Sequence, residues 1–113
     1  MTRTELADAM LKGKAAPGVK ENRSYYVTTV NQICHVCGLG AALVGKYNGD
    51  FHKAGSKFEQ AGGFNADSDE PGIFAELLGI PRPLAVIVEL KHMNGLVIED
   101  IAKWLKSSEG GEA

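Results

Sequence analysis

The stretch ICHVCGLG, residues Ile33 to Gly40, puts two cysteines three apart, a histidine between them and two glycines behind. It can be read as a metal knuckle, a redox pair, a phosphate loop or the close-packed start of a buried helix. From Gln32 to about Lys46, the residues Ile33, Cys37, Gly40, Ala41 and Val44 recur at i, i+4, i+7, i+8 and i+11, the pattern of a buried helical stripe. That spacing predicts a helix holding the cysteine motif in its first two turns. A glycine inside a helix costs about 1 kcal/mol relative to alanine, so Gly38 and Gly40 predict a neighbouring backbone packed very close.

The other readings need partners that the sequence supplies only in part. Cys34 and Cys37 have the C-x2-C spacing that lets two thiolates hold one zinc ion, with His52 and His92 as candidate further ligands. Those histidines stand 40 positions apart and complete neither an H-x3-5-H nor a second C-x2-C half. A thiol–disulfide exchanger also carries C-x-x-C at a helix start, where the dipole lowers a thiol pKa, but it needs a βαβ frame that is not evident here. His35 is a poor partner for Cys34, because adjacent helical residues point about 100° apart. Gly38 and Gly40 give G-x-G, yet Leu43 replaces the third glycine of a dinucleotide loop, and no P-loop lysine follows. Asn65, Asp67, Asp69 and Glu76 fall in an EF-hand-like register, but Glu70 stands where the calcium loop turns on glycine. No cofactor is expected; structural zinc is the alternative.

Length and charge narrow the partners. A chain of 113 residues suits one globular domain, expected over 1–107, with SSEGGEA ending in a flexible tail at 108–113. A net charge of -2 argues against a general polyanion binder, whose affinity comes from lysines and arginines that displace counterions. No apolar run nears the roughly 20 residues of a membrane span, and the start MTRTELADAM is acidic, so the expected compartment is the cytoplasm. There the cysteines are expected to remain thiols.

Outward from the motif, most punctuation is helical. Thr2 and Glu5 have capping-box spacing before a first helix ending by Gly13. A polar connector, KAAPGVKENR, leads to SYYVTTV, whose composition predicts one short strand or hairpin near 24–30. The glycine-rich segment after Tyr47 has room for one helical turn around Lys57 to Ala61. Asp69 is a predicted N-cap with Pro71 in the first turn and Gly79 past the end. Pro81 and Pro83 open a helix whose expected inner face is Leu84, Ile87, Val88 and Lys91, stopped by Asn94 and Gly95. A last helix should bury Ile98, Ile101, Ala102 and Leu105. The expectation is a mostly α, compact single-domain bundle of about five helices, with the Cys37-Gly40-Ala41 helix central and a C-terminal hairpin covering it.

The order of these features resembles a loose group of small phage, prophage and bacterial proteins. The matching residues are Gly13 and Lys14, then Cys37, Gly40 and Ala41, then Leu78 and Gly79, and finally Asn94, Gly95, Glu99, Ile101 and Ala102. The chain departs from that pattern at HMNGLVIED, where many relatives carry an asparagine-aspartate step and a hydroxyl cap, and this sequence offers Leu96 and Val97. The resemblance implies a mobile-element origin and supplies no mechanism. Without a complete catalytic set, the expected function is a small non-enzymatic binding or regulatory protein acting on a host or phage protein. Asp67, Asp69, Glu70, Lys103 and Trp104 are its candidate contact residues. The alternatives are a Cys-centred metal or redox protein and a helix-turn-helix binder of DNA using Ile98 to Lys106. In that last segment Glu99 and Asp100 stand where bases would be read.

Overall fold

The structure, a computed structural model, describes residues 1–107, so the tail expected at 108–113 lies outside the described residues. They form six helices and one three-stranded sheet: α1 (Arg3–Ala15), β1 (Val19–Glu21), β2 (Val27–Val30), β3 (Ile33–Val36), α2 (Gly38–Lys46), α3 (Phe51–Gln60), α4 (Glu70–Leu78), α5 (Arg82–Met93) and α6 (Ile98–Ser107). The mostly α architecture expected from the sequence is present, with one more helix and a sheet added.

The sheet corrects the reading of the opening stretch. Ile33 to Val36 is a strand, not the first turn of a helix; Ile33 is 42% exposed, whereas Cys34 and Val36 are buried, the two-residue alternation of a pleated strand. The helix begins only at Gly38, with Cys37 as its N-cap. β3 lies between its neighbours, antiparallel to β2 (Val27 opposite Val36, Val30 opposite Ile33) and parallel to β1 (Val19 opposite Cys34, Glu21 opposite Val36). β1 lies inside what reads as a polar connector. Its three residues are too few to show a period, and it exists because β3 offers it a partner.

Asn31 and Gln32 join β2 to β3 with φ of 53° and 69°, the double left-handed conformation of a tight hairpin turn. Asparagine adopts it readily and glutamine at a cost, so Gln32→Gly is expected to stabilise the fold by about 0.5–1 kcal/mol, read as a higher urea midpoint at unchanged slope.

α2 is central, with every residue from Gly38 to Gly45 buried, as befits a helix apolar on all sides. α1 crosses it at its smallest residues. A Cβ on Gly13 would overlap the Ala41 carbonyl oxygen, and one on Gly45 would overlap that of Ala9, so the two backbones touch. Gly40 meets the Tyr26 carbonyl in the same way, as the helix-glycine argument expects, while Gly38 faces side chains of Met10 and Val88. Of the C-terminal pair, α5 packs on α2 and α4, and α6 lies chiefly on α1.

Local signals placed several ends correctly. Thr2 and Glu5 close a reciprocal capping box (Glu5 N–H to Thr2 Oγ1 3.0 Å, Thr2 N–H to Glu5 Oε1 2.7 Å). Asp69 caps α4, and Gly79 ends it in the left-handed region at φ 68°. α1 continues past Gly13 to Ala15, because that glycine serves the helix crossing. α3 replaces the single turn expected around Lys57; Asp50 caps it, and Ala54 and Phe58, four apart, bury one side. α5 is rotated from the expected face: Ala85, Val88 and His92 are buried and Ile87 is exposed.

Candidate functional site

Alternation along β1 places Glu21 with Val19 on the face that also carries Cys34, Val36 and Val27, the face turned toward the helices. A carboxylate there has to be hydrogen-bonded. Glu21 Oε2 lies 2.7 Å from His92 Nε2 and accepts the Ile98 N–H at 3.0 Å, while Lys14 Nζ stands 3.8 Å from Oε1. Glu21 thus supplies across the fold the N-terminal cap that Leu96 and Val97 cannot give α6. Two residues on, Arg23 closes the other end of the corner. Its Nε donates to the His92 carbonyl at 2.6 Å, and its terminal nitrogen to those of Gly95 (2.7 Å) and Leu96 (3.2 Å). Neither role leaves a local signal, since both partners lie some 70 residues away.

Beside this corner, the turn before β2 and the C-terminal half of α5 enclose a small cleft of ≈ 120 Å³. Tyr26 and Met93 stand on its sides, and the nearly buried Cys37 lines it together with Glu89, His92 and Arg23. Cys37 Sγ accepts the Gly40 N–H at 3.3 Å. Burial pushes its thiol up to about 12, against the lowering effect of that amide. Burial likewise raises the Cys34 thiol, opposed by a hydrogen bond from Thr29. Tyr26 is pushed up to about 12 by burial and then by the Glu70 and Glu89 carboxylates. Glu89 is raised by burial and then by Glu70 and Asp69.

A thiol held protonated is a weak nucleophile and a weak metal ligand. The pH dependence follows in sign: stability is full below about 9, and falls as pH climbs toward 12, because the unfolded thiol loses its proton first. Cys37→Ser keeps the cap and removes the ionisation. It is expected to flatten the loss of urea midpoint between about pH 8 and about 11, leaving a residual slope of the same sign from Tyr26.

The candidate metal ligands occupy separate places. Cys34 is on β3, Cys37 caps α2, His52 is exposed on α3 beside the Phe51 ring (4.6 Å), and His92 is 1% exposed against Glu21. Among the described residues no group of three or more His, Cys, Asp or Glu is disposed to hold a metal ion. His35, expected on a helix surface, sits on β3 with its ring 5.2 Å from that of Tyr25. Of the candidate contact residues, Asp67 and Lys103 are exposed. Asp69 is held bidentately by Arg82 (2.9 and 3.0 Å), and Glu70 takes a hydrogen bond from Ser68. Trp104 is partly buried, with Arg3 and Lys91 at 4.5 and 4.4 Å from its ring. On α6, Glu99 pairs with Lys14 and Lys106 with Asp8 (2.8 Å), which ties half of the proposed DNA-reading face to α1.

Ile87, expected on the inner face of α5, instead lies on its outer one. Ile87 is 42% exposed, Leu90 50% and Met93 64%, and Val97 just beyond the helix is 40% exposed. At three-residue spacing Ile87, Leu90 and Met93 share one face of α5, bordered by Glu89 and the cleft. Their exposed area, on the order of 400 Å², is comparable to the largest apolar patch of a typical single chain. No helix among the described residues is long and apolar enough to cross a membrane.

In comparison with known proteins, the chain matches no protein-family model, no curated protein and no solved structure.

Proposed function

We propose that the chain is a small non-enzymatic binding protein of the phage or mobile-element type its motifs resemble, working in the cytoplasm by contact with another protein through the outer face of α5. The observation that supports this reading is the row of exposed apolar side chains Ile87, Leu90, Met93 and Val97 on and just beyond one helix. The core does not use it, since α5 contributes Ala85, Val88 and His92 inward. Apolar side chains left in water at this density are worth about 25 cal/mol per Å² when covered, enough to hold a partner once charge and shape agree.

The test is a photo-crosslinking residue at position 90 in cells that make the protein, read by mass spectrometry. One defined protein adduct is expected, with loss of complex in a Leu90→Glu, Met93→Glu variant that melts at the same temperature as the native chain. A purified chain that forms no adduct and instead turns over a metabolite would overturn the reading.

A further inference from the structure

We infer, resting on that reading, that the segment seated on α5 is a cationic amphipathic one, whose lysine or arginine enters the cleft between Tyr26 and Met93 and pairs with Glu89.

The cleft opens beside the apolar row, so one segment can cover Leu90 and Met93 and still reach into it. Its ≈ 120 Å³ is enough to admit the end of an aliphatic amine. An aromatic ring, a thioether and a thiol line it, surfaces on which the methylenes of a lysine or arginine stem pack while the charged head goes further. The group waiting there is a carboxylate. Glu89 is half-buried and, among the described residues, forms no ion pair with a cation. The charges acting on it are the carboxylates of Glu70 and Asp69.

Arg23 itself lines the cleft, but neither it nor Arg82 pairs with Glu89 among the described residues. Arg82 is committed to Asp69, and Arg23 to the carbonyls of His92, Gly95 and Leu96. An incoming cation would pair with Glu89 and ease its repulsion with Glu70, whereas an acidic segment would add to that repulsion. Glu89 thereby selects among apolar partners that the α5 face alone would accept equally.

A displayed library of helical peptides selected against the folded chain tests this. Enriched sequences are expected to combine an apolar stripe with lysine or arginine at one fixed position. Synthetic copies should bind Glu89→Gln at least tenfold more weakly, lose a similar factor when the cation becomes norleucine, and show no further loss when both changes are combined. Leu90→Ser should weaken binding independently, with amide spectra of both variants showing the native fold. Peptides sensitive to Leu90→Ser but indifferent to Glu89→Gln and norleucine would overturn the cation while leaving α5 as the docking face. Failure to enrich any sequence, or indifference to both substitutions, would overturn both. A dimer of the chain that dissociates in Leu90→Ser would assign the face to a second copy and overturn the inference as well.

Discussion

Gly45→Ala is expected to cost at least about 3 kcal/mol, the upper range of overpacking, for the addition of a single methyl group. The reason is what the methyl meets. A flexible side chain could swing aside, but here the obstacle is the Ala9 carbonyl oxygen with the Ala9 backbone behind it. α1 would have to lift off α2 along the whole crossing, and Leu6, Met10 and Leu43, all fully buried, would loosen with it. Gly55→Ala supplies the contrast within the same protein. That glycine is also helical, in α3, yet a Cβ there would lie 3.6 Å from the Val27 carbonyl oxygen, an ordinary contact. Relief of backbone freedom should then make Gly55→Ala stabilising by about 0.5–1 kcal/mol. Urea unfolding of the two variants checks both signs, and equal effects would show that helix propensity, not contact between backbones, governs these positions.

Glu21→Ala is expected to cost about 2–4 kcal/mol, since it leaves a buried imidazole and the first amide of α6 without their acceptor. Glu21→Gln should lose less, because an amide oxygen can still accept one of the two bonds. The Glu21–His92 coupling can be isolated in a double-mutant cycle with His92→Ala, where the two single losses should sum to clearly more than the double. Hydrogen exchange locates the damage: protection should fall first at the start of α6 and in the turn of Asn94 to Val97, and last in α2. An unchanged exchange pattern would mean that α6 is capped by water as well as by Glu21.

What could be read from the sequence follows the distance over which each signal acts. The capping box at Thr2, the Asp69 cap and the inner face of α6 (Ile98, Ile101, Ala102, Leu105) are set by residues within a few positions of each other. The strands are set by pairing. Ile33 to Val36 carries only four residues of alternation, and Ile33 and Cys37 happen also to fit a helical i, i+4 step, so the longer period absorbed the shorter one. α5 misled for a different reason. Leu84, Val86, Ile87, Val88, Leu90 and Met93 cover so much of its circumference that periodicity leaves its inward face undetermined, and the surplus is left exposed. Glu21 looked like one of many surface acids. Its importance comes from β1, and β1 comes from β3, a chain of causes that no local window contains.

The crossing of α1 with α6 sets the timing of folding during synthesis. α1 packs against α6, far along the chain, with Arg3 Nε reaching the Leu105 carbonyl at 3.4 Å and Lys14 pairing with Glu99. Until α6 leaves the ribosome, one flank of α1 has no cover, and the Glu21 carboxylate has no helix start to hold. The nascent chain can form the α1–α2 pair and the β2–β3 hairpin on the way, but its core closes only once α6 has been made, and a ribosome stalled before residue 98 would display a protease-sensitive intermediate.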